Sequence, residues 1–204
     1  MPRATPPDRR DAILAAARSE FAERGFAAAR MEDIARRVGI SKAALYLQFA
    51  SKEALFRALI DMLIGATLPQ LIPQGFGDIP ARALLTGLVT TAITRITTGD
   101  IAFVPRLIIG EGRNFPEIAR YYHDTAVSQG LGLIERVIRH GVARGEFREV
   151  DARHVARSVI GGVILAAIWR TVFEPVGAEP IDVEAMAAAH LDVLLNGLLR
   201  QEAP

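Results

Sequence analysis

Apolar residues recur at three- and four-residue intervals through most of the chain, and no stretch alternates apolar and polar positions like a half-buried strand. Turn signals cut the pattern into helical segments. The first helix is expected from Pro6 or Asp8 to Arg24, capped by Thr5 and stopped by Gly25, with Ile13, Leu14, Ala17 and Phe21 on its apolar face. Short helices follow over 31–38 and 42–49, then a longer one over 52–68. Pro69, Pro73, Gly75, Gly77 and Pro80 mark a boundary or a long connection. Beyond it, helices are expected over 79–98, 100–113, 116–143, 151–173 and 181–200, with 116–143 open to a break near Gly130. Pro105 should kink the 100–113 helix, because it removes a backbone donor. The pattern predicts an all-α chain of about nine helices.

One spacing within 31–50 stands out. Ala35 is small enough to let a second helix cross close, and Gly39 permits the positive φ of a tight turn. Ile34, Val38, Ile40 and Leu45 fill the inner angle of this helix pair. Ser41 and Ser51 each precede a lysine and an apolar-periodic segment, as helix N-caps do. Lys42, Ala43, Ala44, Tyr46, Leu47 and Gln48 remain on the outside of the 42–49 helix. A helix presented in this way fits the major groove of B-DNA.

Charge supports a polyanion at that end. Net charge is only +1 over 204 residues, but residues 1–60 hold 11 Lys and Arg against 7 Asp and Glu. The remainder is mildly acidic. Both lysines of the chain, Lys42 and Lys52, lie in the basic quarter beside the two serine caps, where cations and helix N-termini together favour phosphate. Cysteine is absent, which excludes disulfides and thiolate chemistry and fits a reducing cytoplasm. The charged N-terminus lacks the apolar core of a secretory signal. The most apolar run, 158–169, is shorter than the roughly 20 residues of a membrane span, so no membrane is expected.

Asp11-Ala-Ile-Leu-Ala-Ala-Ala, Phe21-Ala-Glu-Arg-Gly-Phe, Met31-Glu-Asp-Ile-Ala-Arg-Arg-Val-Gly-Ile-Ser-Lys-Ala-Ala-Leu-Tyr and Phe49-Ala-Ser-Lys-Glu-Ala-Leu-Phe resemble the TetR family of bacterial transcriptional regulators. The resemblance covers the first quarter of the chain. It implies an all-helical homodimer, with a three-helix helix-turn-helix head (residues 1–52) on a larger ligand-binding and dimerisation body (residues 53–204). It also implies that Tyr46 and Lys52 contact phosphates, while Ser41, Lys42, Ala43, Ala44 and Gln48 lie along the DNA-facing helix. Two departures matter. Where the family has Ser or Thr before Met-Glu-Asp-Ile, this chain has Ala28, Ala29 and Arg30, which leaves Arg30 to supply a charge in place of a cap. Ala43 and Ala44 offer only methyl contacts, so Gln48 is the expected polar base reader.

In the body, Phe103, Leu107, Tyr122, Trp169 and Phe173 are candidates to line an apolar pocket, with Arg106 or Glu111 as polar anchors. Core packing is the competing reading for each aromatic. Thr86, Thr90, Thr94 and Thr97 read as a mildly polar helix side. The last two helices suit association in a four-helix dimer interface through Val159, Gly162, Val163, Ala166, Leu191, Leu194, Leu195 and Leu198, with intramolecular packing as the alternative.

No enzyme is expected. The four histidines lack metal-ligand spacing, and neither a nucleophile elbow nor a phosphate loop occurs, so no cofactor is implied. The reading is a ligand-responsive regulator, a repressor binding a palindromic double-stranded operator and released by a small apolar or amphipathic effector. A non-specific architectural DNA-binding protein and a small-molecule-binding dimer with a degenerate head remain as rivals.

Overall fold

The computed structural model describes residues 6–65 and 75–199, with side chains from Arg9 onward. Thr5, the 66–68 end of the fourth helix, Pro69, Pro73 and Arg200 lie outside the described residues. Those described are mostly helical, with no strand among them beyond one antiparallel bridge between Phe147 and Leu199. They divide into two compact units, one of Met1–Gly65 with Leu107–Thr125, the other of Ala66–Arg106 with Ala126–Pro204.

In the first unit, α1 runs Pro6–Ala28, interrupted at Gly25 by a non-helical φ of 75° and ψ of 179°. The predicted stop is therefore a break, after which the chain makes another turn. Helix α2 (Met31–Val38) ends at Gly39, whose left-handed φ of 73° lets its N–H reach Arg36 O at 3.1 Å and the next N–H, of Ile40, reach Ala35 O at 3.0 Å. This pairing satisfies two carbonyls that the helix end would otherwise leave open. Helix α3 (Lys42–Tyr46) is shorter than its predicted 42–49 span, because the chain turns at Leu47 and Gln48. Helix α4 is Lys52–Gly65.

The core of this unit is aromatic. Phe26 sits among Phe21, Phe56 and Phe115, with ring centroids at 5.7, 5.6 and 4.9 Å. Beside it, the fully buried Glu20 carboxylate lies 3.2 Å from Arg24 Nε and 3.1 Å from an Arg37 nitrogen, tying α1 to α2. An ion buried to this degree is tolerable only when paired in this manner. Helix α6 (Phe103–Glu111) ends in this unit, followed by α7 (Pro116–Tyr122), which packs on α4. Tyr121 of α7 donates its phenol to Asp61 of α4.

The second unit is a bundle of α5 (Ala81–Thr98), α8 (Ser128–Ala143), α9 (Ala152–Ile168) and α10 (Val183–Leu198). A π turn, His123–Val127, joins α7 to α8, so the predicted 116–143 helix breaks there and not at Gly130. A second π turn, Trp169–Phe173, extends α9. Residues four apart on α5, Leu85, Val89, Ile93 and Thr97, face inward. Thr97 thus leaves the predicted polar side; its buried hydroxyl donates to Ile93 O at 2.7 Å. Gly141 is required by packing, since a Cβ there would lie 2.3 Å from the Phe147 ring. Pro105 produces no kink: α6 starts at Phe103, so the proline falls in the first turn, where its missing N–H has no intrahelical partner to lose.

Candidate nucleic-acid interface

The two predicted serine caps are present. Ser41 Oγ accepts the Ala44 N–H at 3.1 Å and Ser51 Oγ accepts the Ala54 N–H at 3.1 Å, which fixes where α3 and α4 begin. Arg30 occupies the cap position of α2 without capping it, and its side chain is exposed. Glu32 and Asp33 in the first turn compensate by meeting the positive helix end.

Only Leu45 of α3 is fully buried, and this inward anchor orients the rest of the turn. Residues four apart share a helix side, so α3 offers two distinct outer stripes. One pairs Lys42 with Tyr46, whose ring centroid lies 5.8 Å from the ammonium. The other pairs Ala43 with Leu47, which is 88% exposed. Gln48 is exposed beyond them, and Ala44 is half-buried. Leu47 carries the most exposed large apolar side chain among the described residues. The sequence placed it on the outer side of the helix without assigning it a role; the Ala43–Leu47 spacing was the available signal.

The two lysines differ. Lys42 Nζ is exposed and paired with Glu32 of α2; this hydrogen bond lowers the Glu32 pKa and raises that of Lys42. Lys52 turns inward. Its ammonium donates to the carbonyls of Phe26 at 2.6 Å, Ala27 at 3.1 Å and Ala29 at 3.0 Å, and stands 4.6 Å from the Phe26 ring centroid. Burial pushes its pKa down, opposed by Glu53 and Glu111. The cation expected on phosphate is thus committed to three backbone oxygens.

Candidate body residues separate in the same way. Leu107, Glu111 and Tyr122 belong to the first unit, and Phe103, Arg106, Trp169 and Phe173 to the second. Phe103 and Leu107 are buried. Desolvation pushes the Tyr122 phenol up to about 12. Trp169 donates its indole N–H to Glu179 O at 2.9 Å and meets Phe173 edge-on at 5.6 Å. Glu111 is spent elsewhere than on a ligand, since both its oxygens accept backbone N–H groups, of Phe26 and Ala27.

The candidate interface residues of the last two helices mostly point into their own bundle. Val159, Val163, Ala166, Leu191, Leu195 and Leu198 are buried in the core of the second unit, and Leu194 packs against it. Gly162 lies against His190, whose ring nitrogen is 2.9 Å from Val159 O. Helix periodicity identified the apolar stripe correctly, but the chain's own core takes it first. The small and apolar residues left outward include Ser158, Gly161 and Leu165 on α9, and Ala185, Ala188, Ala189 and Val193 on α10, beside the exposed Arg153, His154 and Arg157 of α9 and Glu184, Asp192 and Asn196 of α10. Ala152–Val176 is apolar and long enough, by composition, to cross a membrane, and the outward apolar residues contribute to that composition.

Comparison with known proteins finds matches along most of the chain. The family model described as "Bacterial regulatory proteins, tetR family" matches residues 13–59, and "AefR-like transcriptional repressor, C-terminal domain" matches residues 83–196. The chain is 29% identical over 196 residues to the HTH-type transcriptional repressor KstR2 of Rhodococcus jostii, covering 93% of this chain and 91% of that protein. It is 49% identical over 195 residues to the HTH-type transcriptional regulator UidR of Escherichia coli K12, covering 93% and 92%. Its fold matches the transcriptional regulator FadR of Bacillus subtilis, crystallised with stearoyl-CoA, at a TM-score of 0.72 and 20% identity over 92% of this chain and 98% of that one. A capped helix-turn-helix with an exposed outer side on α3, in a chain that regulator family models match over most of its length, makes this a DNA-binding regulator rather than an enzyme, and the chain belongs to the TetR family of bacterial transcriptional regulators.

Proposed function

We propose that the protein is a cytoplasmic repressor that binds a palindromic operator as a homodimer and leaves it when an apolar or amphipathic molecule binds the body. Residues 1–52 act as the reading head and 53–204 as the sensing and dimerising part. The observation that carries the reading is the outer surface of α3. Lys42 and Tyr46 serve phosphate, while Ala43, Leu47 and Gln48 meet base edges. Arg30 adds an exposed cation at the start of α2, and Ser41 positions the turn. Lys52 braces the head from within.

A second copy is supported by the outward apolar residues of α9 and α10, with Leu165 at 51% and Val193 at 71% exposure. Palindromic binding requires the two α3 helices to stand roughly 34–36 Å apart, one turn of B-DNA. An effector acts by binding better to a dimer with a different spacing, because only unequal affinity shifts the equilibrium. The stearoyl-CoA held by the similarly folded FadR supports a long acyl chain as the first effector to try.

Selection of bound sequences from random DNA with the purified full chain tests the proposal. Recovery of a palindrome, followed by release of that DNA on adding stearoyl-CoA or a related acyl thioester, is the expected result. Featureless recovery with salt-dependent affinity indicates a coating protein, and no recovery indicates a head that no longer reads DNA; either overturns the repressor reading.

A further inference from the structure

We infer that Glu111, far along the chain from the helix-turn-helix, is a positioning residue for DNA binding: it fixes the α1–α2 junction from which α2 and α3 are hung. The inference rests on the reading of α3 as the DNA-facing element.

The junction is Gly25 to Arg30. At Gly25 the helix breaks, so the N–H groups of Phe26 and Ala27 lose the helical carbonyls they would otherwise bond. Glu111 takes both. Phe26 N–H donates to one carboxylate oxygen at 2.8 Å and Ala27 N–H donates to the other at 2.5 Å. Charged acceptors make the stronger class of hydrogen bond, and a two-oxygen grip fixes orientation as well as distance.

Gly25 is fitted to this grip in two ways. Its φ of 75° is one that side-chain-bearing residues rarely adopt, and a Cβ there would lie 2.2 Å from Glu111 Oε1. The carbonyls of the same segment are held by the opposite charge, since Lys52 Nζ binds those of Phe26, Ala27 and Ala29. Four residues on from the doubly held Ala27, α2 begins at Met31. The segment that carries Glu111 makes a second contact here, through the Phe115 ring 4.9 Å from that of Phe26. Two charged side chains from α4 and α6 thus determine how the chain enters the reading pair. Neither bond set is within one helix; both join elements distant in sequence.

The sign of the effect separates positioning from simple electrostatics. Removing a carboxylate from a DNA-binding head makes it more positive, which by itself tightens binding to phosphate. Loss of the grip predicts weaker binding. The experiment compares wild type, Glu111→Ala and Glu111→Gln for affinity to the DNA recovered by wild type, for thermal melting, and for hydrogen exchange at individual backbone amides. We expect Glu111→Ala to weaken binding about tenfold or more. Exchange at Phe26 and Ala27 should quicken at least tenfold, while buried α4 amides such as that of Leu59 are unchanged. Glu111→Gln, keeping one acceptor oxygen, should fall between the two. Unchanged or tighter DNA binding by both variants overturns the inference, as does weaker binding with exchange at Phe26 and Ala27 unaltered. If Glu111→Ala does not fold, Glu111→Gln carries the same comparison. A wild-type protein that retains no DNA removes the DNA-binding reading and this inference with it; wild-type binding with variants unaffected removes the inference alone.

Discussion

Leu47 is a costly residue to leave in water unless something covers it. Complete burial of a leucine side chain is worth about 1.5–3 kcal/mol, and Leu47 forgoes nearly all of that in the free protein. Its stripe partner Ala43 has no polar group, so the pair suits the thymine C5-methyl in the major groove. Replacing the contacted thymine of each half-site by deoxyuridine removes that methyl alone. Affinity should fall about fourfold per half-site, from ~0.8 kcal/mol for one carbon buried, and Leu47→Ala should show no such dependence. Wild-type binding insensitive to every thymine-to-deoxyuridine change excludes methyl readout. Lys52 yields a contrasting prediction. Its ammonium is satisfied by three carbonyls, so Lys52→Ala should weaken DNA binding without changing the slope of log affinity against log salt. A direct phosphate contact would instead lower that slope by about one unit, so a drop of that size restores Lys52 to the phosphate surface. Sequence made this lysine conspicuous but gave only its position at a helix start, not the direction in which its long side chain turns.

Helix ends were legible in the sequence wherever the signal is local. Ser41, Ser51 and Gly39 act within three or four residues of themselves, and each does what its residue type predicts. Pro105 shows the limit of that logic, since its consequence depends on a helix start displaced by three residues from expectation. The α5 cap was not legible at all. Pro80 stands at the cap position with no side-chain bond to offer, and Glu146, 65 residues on from Ala81, accepts the Ala81 N–H at 2.7 Å while also accepting from Arg144 Nε at 2.8 Å. Burial alone would raise the Glu146 pKa, but the hydrogen bonds from Arg144 and the Ala81 and Arg82 amides outweigh it and hold the carboxyl below its ordinary 4.5. A carboxyl depressed by folding stabilises the native state fully above that ordinary value, and the contribution is lost as pH falls through the lower folded value. Glu146→Gln should therefore cost about 1 kcal/mol at pH 7, the usual worth of a cap. The gap between variant and wild type should close as the pH is lowered below 4.5. Thermal melting across pH 3–7 checks this, and a gap that widens toward acid contradicts the assignment.

Assembly is where sequence periodicity misleads most readily. The apolar stripe of α9 and α10 is the same stripe whether it faces a neighbour in the chain or a second copy, because the 3.6-residue repeat carries no address. The structure assigns Val159, Val163, Leu191 and Leu195 to the internal core. The proposed association face therefore lies on the opposite sides of the two helices. There Ser158, Gly161 and Leu165 follow one another at three- and four-residue spacing on α9, and Ala185, Ala189 and Val193 at four-residue spacing on α10, with Ala188 beside them. Small residues allow two such helices to approach another pair closely, and the two large side chains supply apolar area at the contact. A charge at each large position should break a dimer without entering the core. Leu165→Glu combined with Val193→Glu is therefore expected to sediment as a monomer with helical content and α3 intact. The double variant should lose its preference for a palindrome over a single half-site, since linking two heads multiplies affinity only while both can engage. A variant that still sediments as a dimer, or a wild type that sediments as a monomer at the concentrations where it binds DNA, rules out this face as the one that pairs the heads.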